Sequence, residues 1–545
     1  MYRFCFSAYN YNSVLKFDNR NIMSMEGIQQ GDPIGPLLFC LAIQPLLRSL
    51  SSTLRIGYLD DITLGGSKST VNSDVLKIVE SGATIGLHLN MSKCEVISSC
   101  NIEPDYIISK FVHVQPNNAV LLGAPIFPGP ALDASLSDRL SELSVGHDRL
   151  SLISAHDALV LLKSSLSTPK LLHVLRSSPC TEHPLLKSID ETLRKCVTSI
   201  TNTSLSDSQW LQASLPVKKG GLGSRLASQL APSAFLAAAS ASRELQTIIL
   251  NSAYMSSSKF EDYARTFWMN FCLTSAPTGL KAHKQKEWDK LVVQSELNRL
   301  MNCQTNDNNK ARVMAVSAPH SGDWLNALPI SRCGLRLDNE AIRVAVGLRL
   351  GSDLCMSHQC PCGALVEING IHGLSCKKNN ARIMRHGALN DVIHRSLVKA
   401  AIPSLKEPPG LLRSDGKRPD GVTLIPYSLG KCLAWDVTVT DTLAPSYVGL
   451  SVSSAGSAAE RAAANKVAKY TELSLSYEFV PLAFETLGPI NQSGLVFLQS
   501  LGKKITASTG DVRETAFLLQ RISITLQRYN SIAFHNSFIA DTLDN

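Results

Sequence analysis

Leu54-Arg55-Ile56-Gly57-Tyr58-Leu59-Asp60-Asp61-Ile62-Thr63-Leu64-Gly65-Gly66 places two adjacent carboxylates at the tip of an apolar hairpin. Such a pair suits a divalent cation, because burying it without counter-charge would cost roughly several kcal/mol. Taken alone, the string is more often an ordinary surface hairpin, so its flanks decide the reading. Upstream, Gly27-Ile28-Gln29-Gln30-Gly31-Asp32-Pro33-Ile34-Gly35-Pro36-Leu37-Leu38-Phe39 makes a tight loop that opens an apolar helix from about Leu37 to Leu50. Downstream come Gly86-Leu87-His88-Leu89-Asn90-Met91-Ser92-Lys93-Cys94-Glu95 and Leu122-Gly123-Ala124-Pro125-Ile126.

In this order and spacing the four blocks resemble the palm of a reverse transcriptase of the non-LTR retrotransposon kind. The resemblance implies that Gln30 and Gly31 pack against template and incoming nucleotide, and that Asp60 and Asp61 hold catalytic Mg²⁺ or Mn²⁺. It further implies that Lys93 sits near the phosphates and that Gly123 belongs to the segment gripping the primer end. Two metals about 4 Å apart clamp the attacking and leaving oxygens in phosphoryl transfer and need carboxylates from several strands. In the family the first of those aspartates lies on a strand well before the Gln-Gly loop. Here 26 residues precede Gly27, and the one aspartate among them, Asp18 in Lys16-Phe17-Asp18-Asn19-Arg20-Asn21, reads as the turn of a hairpin. The expectation is a polymerase truncated of its fingers and first catalytic strand, unable to extend a primer alone.

The chain has 545 residues, enough for about three or four domains. Its 44% hydrophobic and 18% charged residues are ordinary for a folded, soluble protein. A formal charge of +8, spread along the chain rather than gathered in one block, fits a nucleic-acid partner only modestly. The start, Met1-Tyr2-Arg3-Phe4-Cys5-Phe6, soon turns too polar for a signal peptide, and no apolar run of about 18 residues occurs. No secretion and no membrane partner are expected, and the chain reads as intracellular. The family resemblance implies the nucleus, although no targeting signal is identified. Fourteen cysteines are too few for a disulfide scaffold, which leaves metal as their interesting use.

From Leu132 to about Leu205, leucines at three- and four-residue spacing (Leu140, Leu143, Leu150, Leu152, Leu159, Leu161, Leu162) predict a helical thumb. The stretch from Trp210 to Gly223, with Lys218-Lys219-Gly220-Gly221, reads either as a phosphate-contacting loop or as a helix stop ahead of an alanine-rich helix at Ala231 to Ser242. Residues 243–330 offer helical pattern and a polar linker at Asn306-Asp307-Asn308-Asn309-Lys310 but no nameable chemistry.

Cys360, Cys362, His372 and Cys376 put three thiols and an imidazole within 17 residues, enough for a tetrahedral Zn²⁺ shell, with Cys355 or His358 as substitutes. The opposing reading is a set of buried free cysteines and a surface histidine. A helix starts near Arg385-His386. Pro419-Asp420 then ends one hairpin arm, and Lys431-Cys432-Leu433-Ala434-Trp435-Asp436-Val437-Thr438-Val439-Thr440 reads as an apolar, β-branched strand broken by one carboxylate. Asp420 and Asp436 on adjacent strands have the geometry for Mg²⁺. This arrangement resembles the PD-(D/E)xK restriction-like endonuclease that, behind a Cys-Cys-His-Cys knuckle, ends the site-specific class of non-LTR retrotransposons. The fold's lysine is expected at the place held by Thr438. In this class it is thought to come from a following helix, here Ser457 to Tyr470, where Lys466 is the first choice and Lys469 the second. Lysines on such a helix are otherwise commonly solvated. Glu407 is a further candidate acid. A later strand closes at Phe484-Glu485, and Arg513-Glu514 to Asn530 forms a last amphipathic helix.

The expected fold is α+β and multidomain: a partial palm over 1–130, a helical thumb over 131–245, a helical linker region over 246–330, a zinc-knuckle region over 331–385, an α/β restriction-like endonuclease over 386–500 and a C-terminal helical segment over 501–545. The implied function is target-primed reverse transcription, in which a nick in target DNA primes copying of an RNA template with dNTPs. In this chain the polymerase is expected to be inactive and the nuclease intact. The alternatives are a non-catalytic nucleic-acid-binding remnant of a decayed element, and a gene whose true start lies upstream of Met1.

Overall fold

A computed structural model describes residues 2–25, 27–29, 31–250, 257–411 and 417–539. It mixes helices with small sheets and divides into two compact units, residues 1–119 with 242–257, and residues 120–241 with 258–545. No helix among the described residues is long and apolar enough to cross a membrane.

In the first unit, the strands Ser13–Phe17 and Arg20–Ser24 form a hairpin whose turn holds Asp18 at φ +53°. The Gly-Pro loop leads into a helix at Gly35–Ser49, with Pro36 in its first turn, where a missing N–H costs nothing. The strands Leu54–Tyr58 and Asp61–Gly65 then pair with Tyr58 opposite Asp61, leaving a two-residue turn at Leu59 and Asp60. Helix and hairpin meet at Gly57, where a Cβ would stand 2.6 Å from Leu47 Cδ1 and 3.5 Å from Ile43 Cδ1. The approach to the hairpin is fastened by Asp74, on the helix Lys68–Thr84. Its carboxylate accepts the N–H groups of Ser51 at 2.9 Å and Ser52 at 2.6 Å and the Ser52 hydroxyl at 2.6 Å. Burial pushes the Asp74 pKa up, but those donors outweigh it and hold the group below its ordinary value.

In the second unit, the leucine-rich segment forms the helices Pro130–Leu150, Ala155–Leu161, Thr168–Ser177, Pro184–Thr201 and Asp207–Ser214. Leu132, Leu143, Leu150, Leu159 and Leu162 join a core that also contains Trp324, Ile342 and Val346, so the thumb segment shares its interior with residues beyond 320. Leu152, part of the same sequence pattern, is 83% exposed. The glycines after Trp210 act as a packed stop. Gly220 has φ +85°, and a Cβ on Gly221 would come within 1.9 Å of the Leu215 carbonyl. The buried Arg349 guanidinium donates to the Gly221 and Val217 carbonyls at 3.1 and 2.7 Å, while Lys218 and Lys219 remain exposed. The alanine-rich helix is longer than its expected Ala231 to Ser242 and spans Ala227–Ile249. The expected polar linker at Asn306–Lys310 is instead a helix start: Asn306 Oδ1 accepts the Asn309 N–H at 2.8 Å and caps the helix Asp307–Val316. Polar residues that cap a first turn look like linker when read by hydropathy alone.

A second core, with Leu389, Ile393, Trp435, Leu482, Phe497 and Ile522, lies between the helices Ala381–Lys399, Gln492–Thr509 and Glu514–His535 and a four-stranded sheet. Asp74→Ala should destabilise the first unit by about 2–4 kcal/mol, since it strips three donors of a buried acceptor. The loss should be read as faster hydrogen exchange at the Ser51 and Ser52 amides. Because the folded-state pKa of Asp74 is depressed, the wild-type advantage should be complete above the ordinary carboxylate range and vanish as pH falls through the folded value.

Candidate functional site

The sheet runs in the order Ser404–Lys406, Gly421–Ser428, Lys431–Thr440, Glu478–Glu485, with the first three strands antiparallel and the last pair parallel. The parallel pair requires a crossover, and the helix Ser457–Lys469 lies within it. Register sets Gly421 opposite Trp435, so Asp420, the residue just before its strand, falls beside Asp436 on the next one. Lys466 Nζ reaches Asp436 Oδ1 at 2.6 Å, with the Asp436 side chain only 4% exposed. Burial and the nearby Asp420 raise the Asp436 pKa, and the Lys466 ammonium opposes them.

Asp420 Oδ2 accepts the Val437 N–H at 2.6 Å and faces His386 Nε2 at 3.0 Å. Hydrogen bonding to Asp420 raises the His386 pKa above its ordinary value despite burial, and the Asp420 and Asp436 charges act in the same direction. Lys469 is engaged differently: its Nζ donates to Tyr470 Oη at 2.9 Å, and Tyr470 Oη donates to the Arg418 carbonyl at 2.8 Å. The Glu407 carboxylate pairs with Arg418, and its N–H donates to the Asp420 carbonyl at 2.9 Å. Two supporting residues went unread in the sequence. His386 was visible only as part of a helix start, and Glu485 only as a strand end. Fully buried, Glu485 accepts the Ala459 N–H at 3.0 Å and so fastens the first turn of the lysine helix.

Cys360, Cys362, His372 and Cys376 present ligand atoms that all lie within 4.8 Å of one another. Cys360 Sγ lies 3.7 Å from Cys376 Sγ, and Cys362 Sγ 3.2 Å from His372 Nε2. The Ala364 N–H donates to Cys362 Sγ and favours its thiolate, lowering the pKa to about 6. The two alternative ligands are occupied elsewhere: Cys355 Sγ donates to the Glu367 and Ile368 carbonyls, and His358 stacks on Phe538 with ring centroids 4.0 Å apart. Three thiols and an imidazole at these separations could hold a metal ion, since four such donors complete a tetrahedral shell.

In the first unit, Asp60 and Asp61 are exposed, and the turn holds Leu59 at φ +56°. Gly31 has φ +88°, and Gln30 lies outside the described residues. Lys93 is exposed at the end of the 3₁₀ turn Met91–Lys93. Gly123, at φ +77°, turns the hairpin of Val120–Leu121 and Ala124–Pro125 and belongs to the second unit. Among the described residues, the Cys-Cys-His-Cys set is the one group of three or more such side chains drawn together, so Asp60 and Asp61 have no third ligand beside them.

A family model described as "Reverse transcriptase (RNA-dependent DNA polymerase)" matches residues 3–126. That match ties this segment to RNA-directed DNA polymerase-related function, to nucleic-acid template and dNTPs, and to Mg²⁺ or Mn²⁺ as the metals such domains use. No curated protein matches the chain.

Removing Lys466 should expose the cost of burying Asp436. In metal-free protein, Lys466→Ala should lose on the order of 3–5 kcal/mol near neutral pH, as expected when one partner of a buried pair is removed. Asp436 already has a raised pKa, and the substitution raises it further, so the deficit should grow as pH rises through the carboxylate range and shrink on acidification. Urea unfolding of the wild type and the variant at pH 4.5 and 7.5 checks both sign and size.

Proposed function

We propose that this chain is part of a non-LTR retrotransposon reverse transcriptase whose residues 386–500 form a metal-dependent DNA endonuclease, preceded by a zinc knuckle, and that it serves target-primed reverse transcription in the nucleus. The observation carrying the nuclease reading is the 2.6 Å contact between Lys466 and Asp436, with Asp420 immediately before the adjacent strand. A lysine from the crossover helix thereby takes the part that Thr438 cannot play.

The donor chemistry fits a hard divalent cation: two carboxylates close enough for Asp420 to raise the Asp436 pKa. Asp420 and Asp436 would hold Mg²⁺ or Mn²⁺, which would supply Lewis-acid stabilisation of charge in phosphoryl transfer. Lys466 sets a positive charge beside Asp436, and that charge would stabilise negative charge developing on the oxygens of a bound scissile phosphate. Lys469 and Tyr470 tie the end of the same helix to the Arg418 carbonyl, next to Pro419-Asp420. The Cys-Cys-His-Cys donor set suits Zn²⁺, and the knuckle would help place the nucleic acid. At the palm, Asp60 and Asp61 have no third acidic ligand beside them among the described residues, where two-metal transfer needs more, so the proposed function includes no primer extension by this chain alone.

The purified chain should nick supercoiled plasmid with Mg²⁺ or Mn²⁺. Asp436→Ala should abolish nicking, and Lys466→Ala should slow it roughly 10²- to 10³-fold. If folded, zinc-loaded wild type nicks no faster than Asp436→Ala, the chain is instead a nucleic-acid-binding remnant. Metal analysis should find about one zinc per chain, and Cys376→Ser should lose it.

A further inference from the structure

The endonuclease reading leaves one side chain at its centre without a role. His386 is on the helix Ala381–Lys399, and its Nε2 stands 3.0 Å from Asp420 Oδ2. Oδ2 also accepts the Val437 N–H at 2.6 Å, whereas Oδ1 takes no hydrogen bond among the described residues. One oxygen of the carboxylate is thus held by two donors and the other is left over for a ligand.

The same helix face grips Asp420 a second time. Asn390, one turn after His386, donates through Nδ2 to the Asp420 carbonyl at 3.3 Å and accepts the Trp435 Nε1–H at 2.8 Å. The Trp435 ring in turn covers Gly421 so closely that a Cβ there would lie 2.0 Å from it. Backbone and side chain of Asp420 are therefore fixed from one helix, in a strand register that Trp435 enforces.

We infer that His386 is a positioning residue for the proposed nuclease: its Nε2–H holds Asp420 Oδ2 so that Oδ1 is presented as the metal-binding atom. The inference rests on the endonuclease reading and adds to it the residue that orients the ligand. Groups that orient metal ligands typically contribute about 10–100-fold in metal affinity.

The test is Mn²⁺ binding by the full, zinc-loaded chain, followed by electron paramagnetic resonance of free Mn²⁺, with Asp420→Asn identifying the site in question. His386→Ala should weaken that site about tenfold and raise the Mn²⁺ concentration for half-maximal nicking by the same factor. His386→Gln keeps an amide donor of similar reach and should stay within about threefold of wild type. His386→Met fills the same space without a donor and should behave like His386→Ala, which separates lost orientation from lost packing. Wild-type affinity in both the Ala and the Met variants overturns the inference and leaves the endonuclease reading standing. A wild type whose Mn²⁺ binding is unchanged by Asp420→Asn overturns the endonuclease reading itself, and this inference with it.

Discussion

A carboxylate in the middle of an apolar strand organises the C-terminal half of this protein. Asp436 is buried among Trp435, Val437 and the strands on either side, where an uncompensated charge would cost several kcal/mol, roughly the stability of a whole domain. Lys466 offsets part of that cost, and it is in place only because its helix is pressed close to the sheet. Ala459, Ala462 and Ala463 pack against Ala483, so small side chains on both faces allow the approach. Glu485 then fastens the helix start through the Ala459 N–H. The alanines that favour helix in the sequence are thus also what lets an ammonium reach a buried carboxylate.

The last helix, Glu514–His535, binds the cysteine-rich segment to this sheet. Asn379 Nδ2 donates to the Gly373 and Ala533 carbonyls, bridging the two segments, and the buried Arg385 joins the Leu374 carbonyl to Asn530. Gly370 and Gly373 approach so closely that a Cβ on either would collide, at 2.3 Å with the Phe534 ring and at 2.7 Å with the Ala533 carbonyl. Arg385 is followed at once by His386, so one helix start serves two sites. Its buried arginine locks the cysteine-rich segment, and its histidine meets Asp420.

The first unit is built to a different standard. Its double-aspartate hairpin is a two-stranded sheet with one helix against it, and Ile56, Tyr58, Leu37 and Leu41 remain exposed. Two strands alone make a marginal structure in water. Asp74 and the close contact at Gly57 hold the hairpin's base, while its acidic tip projects into solvent.

Much was legible in the sequence because the relevant signals are local. Turn chemistry around Asp18 and Tyr58-Leu59-Asp60-Asp61, leucine spacing in the helices, and the clustering of Cys360, Cys362, His372 and Cys376 within a few turns of chain are all properties of neighbouring residues. The odd placement of Asp436 in an apolar strand was equally visible. Hydropathy misread Asn306–Lys310, where polar residues cap a helix. The choice between Lys466 and Lys469 could not be made from one helix face, since both lie on it. Helices, hairpins and the residue types able to carry chemistry follow from local sequence, because backbone preferences and side-chain periodicity act over a few residues. Tertiary packing alone brings Lys466 to Asp436 and His386 to Asp420, and sets Glu485 under the start of the lysine helix. The contacts made by Lys466, His386 and Glu485 join residues 26 to 34 positions apart through strand register and helix packing.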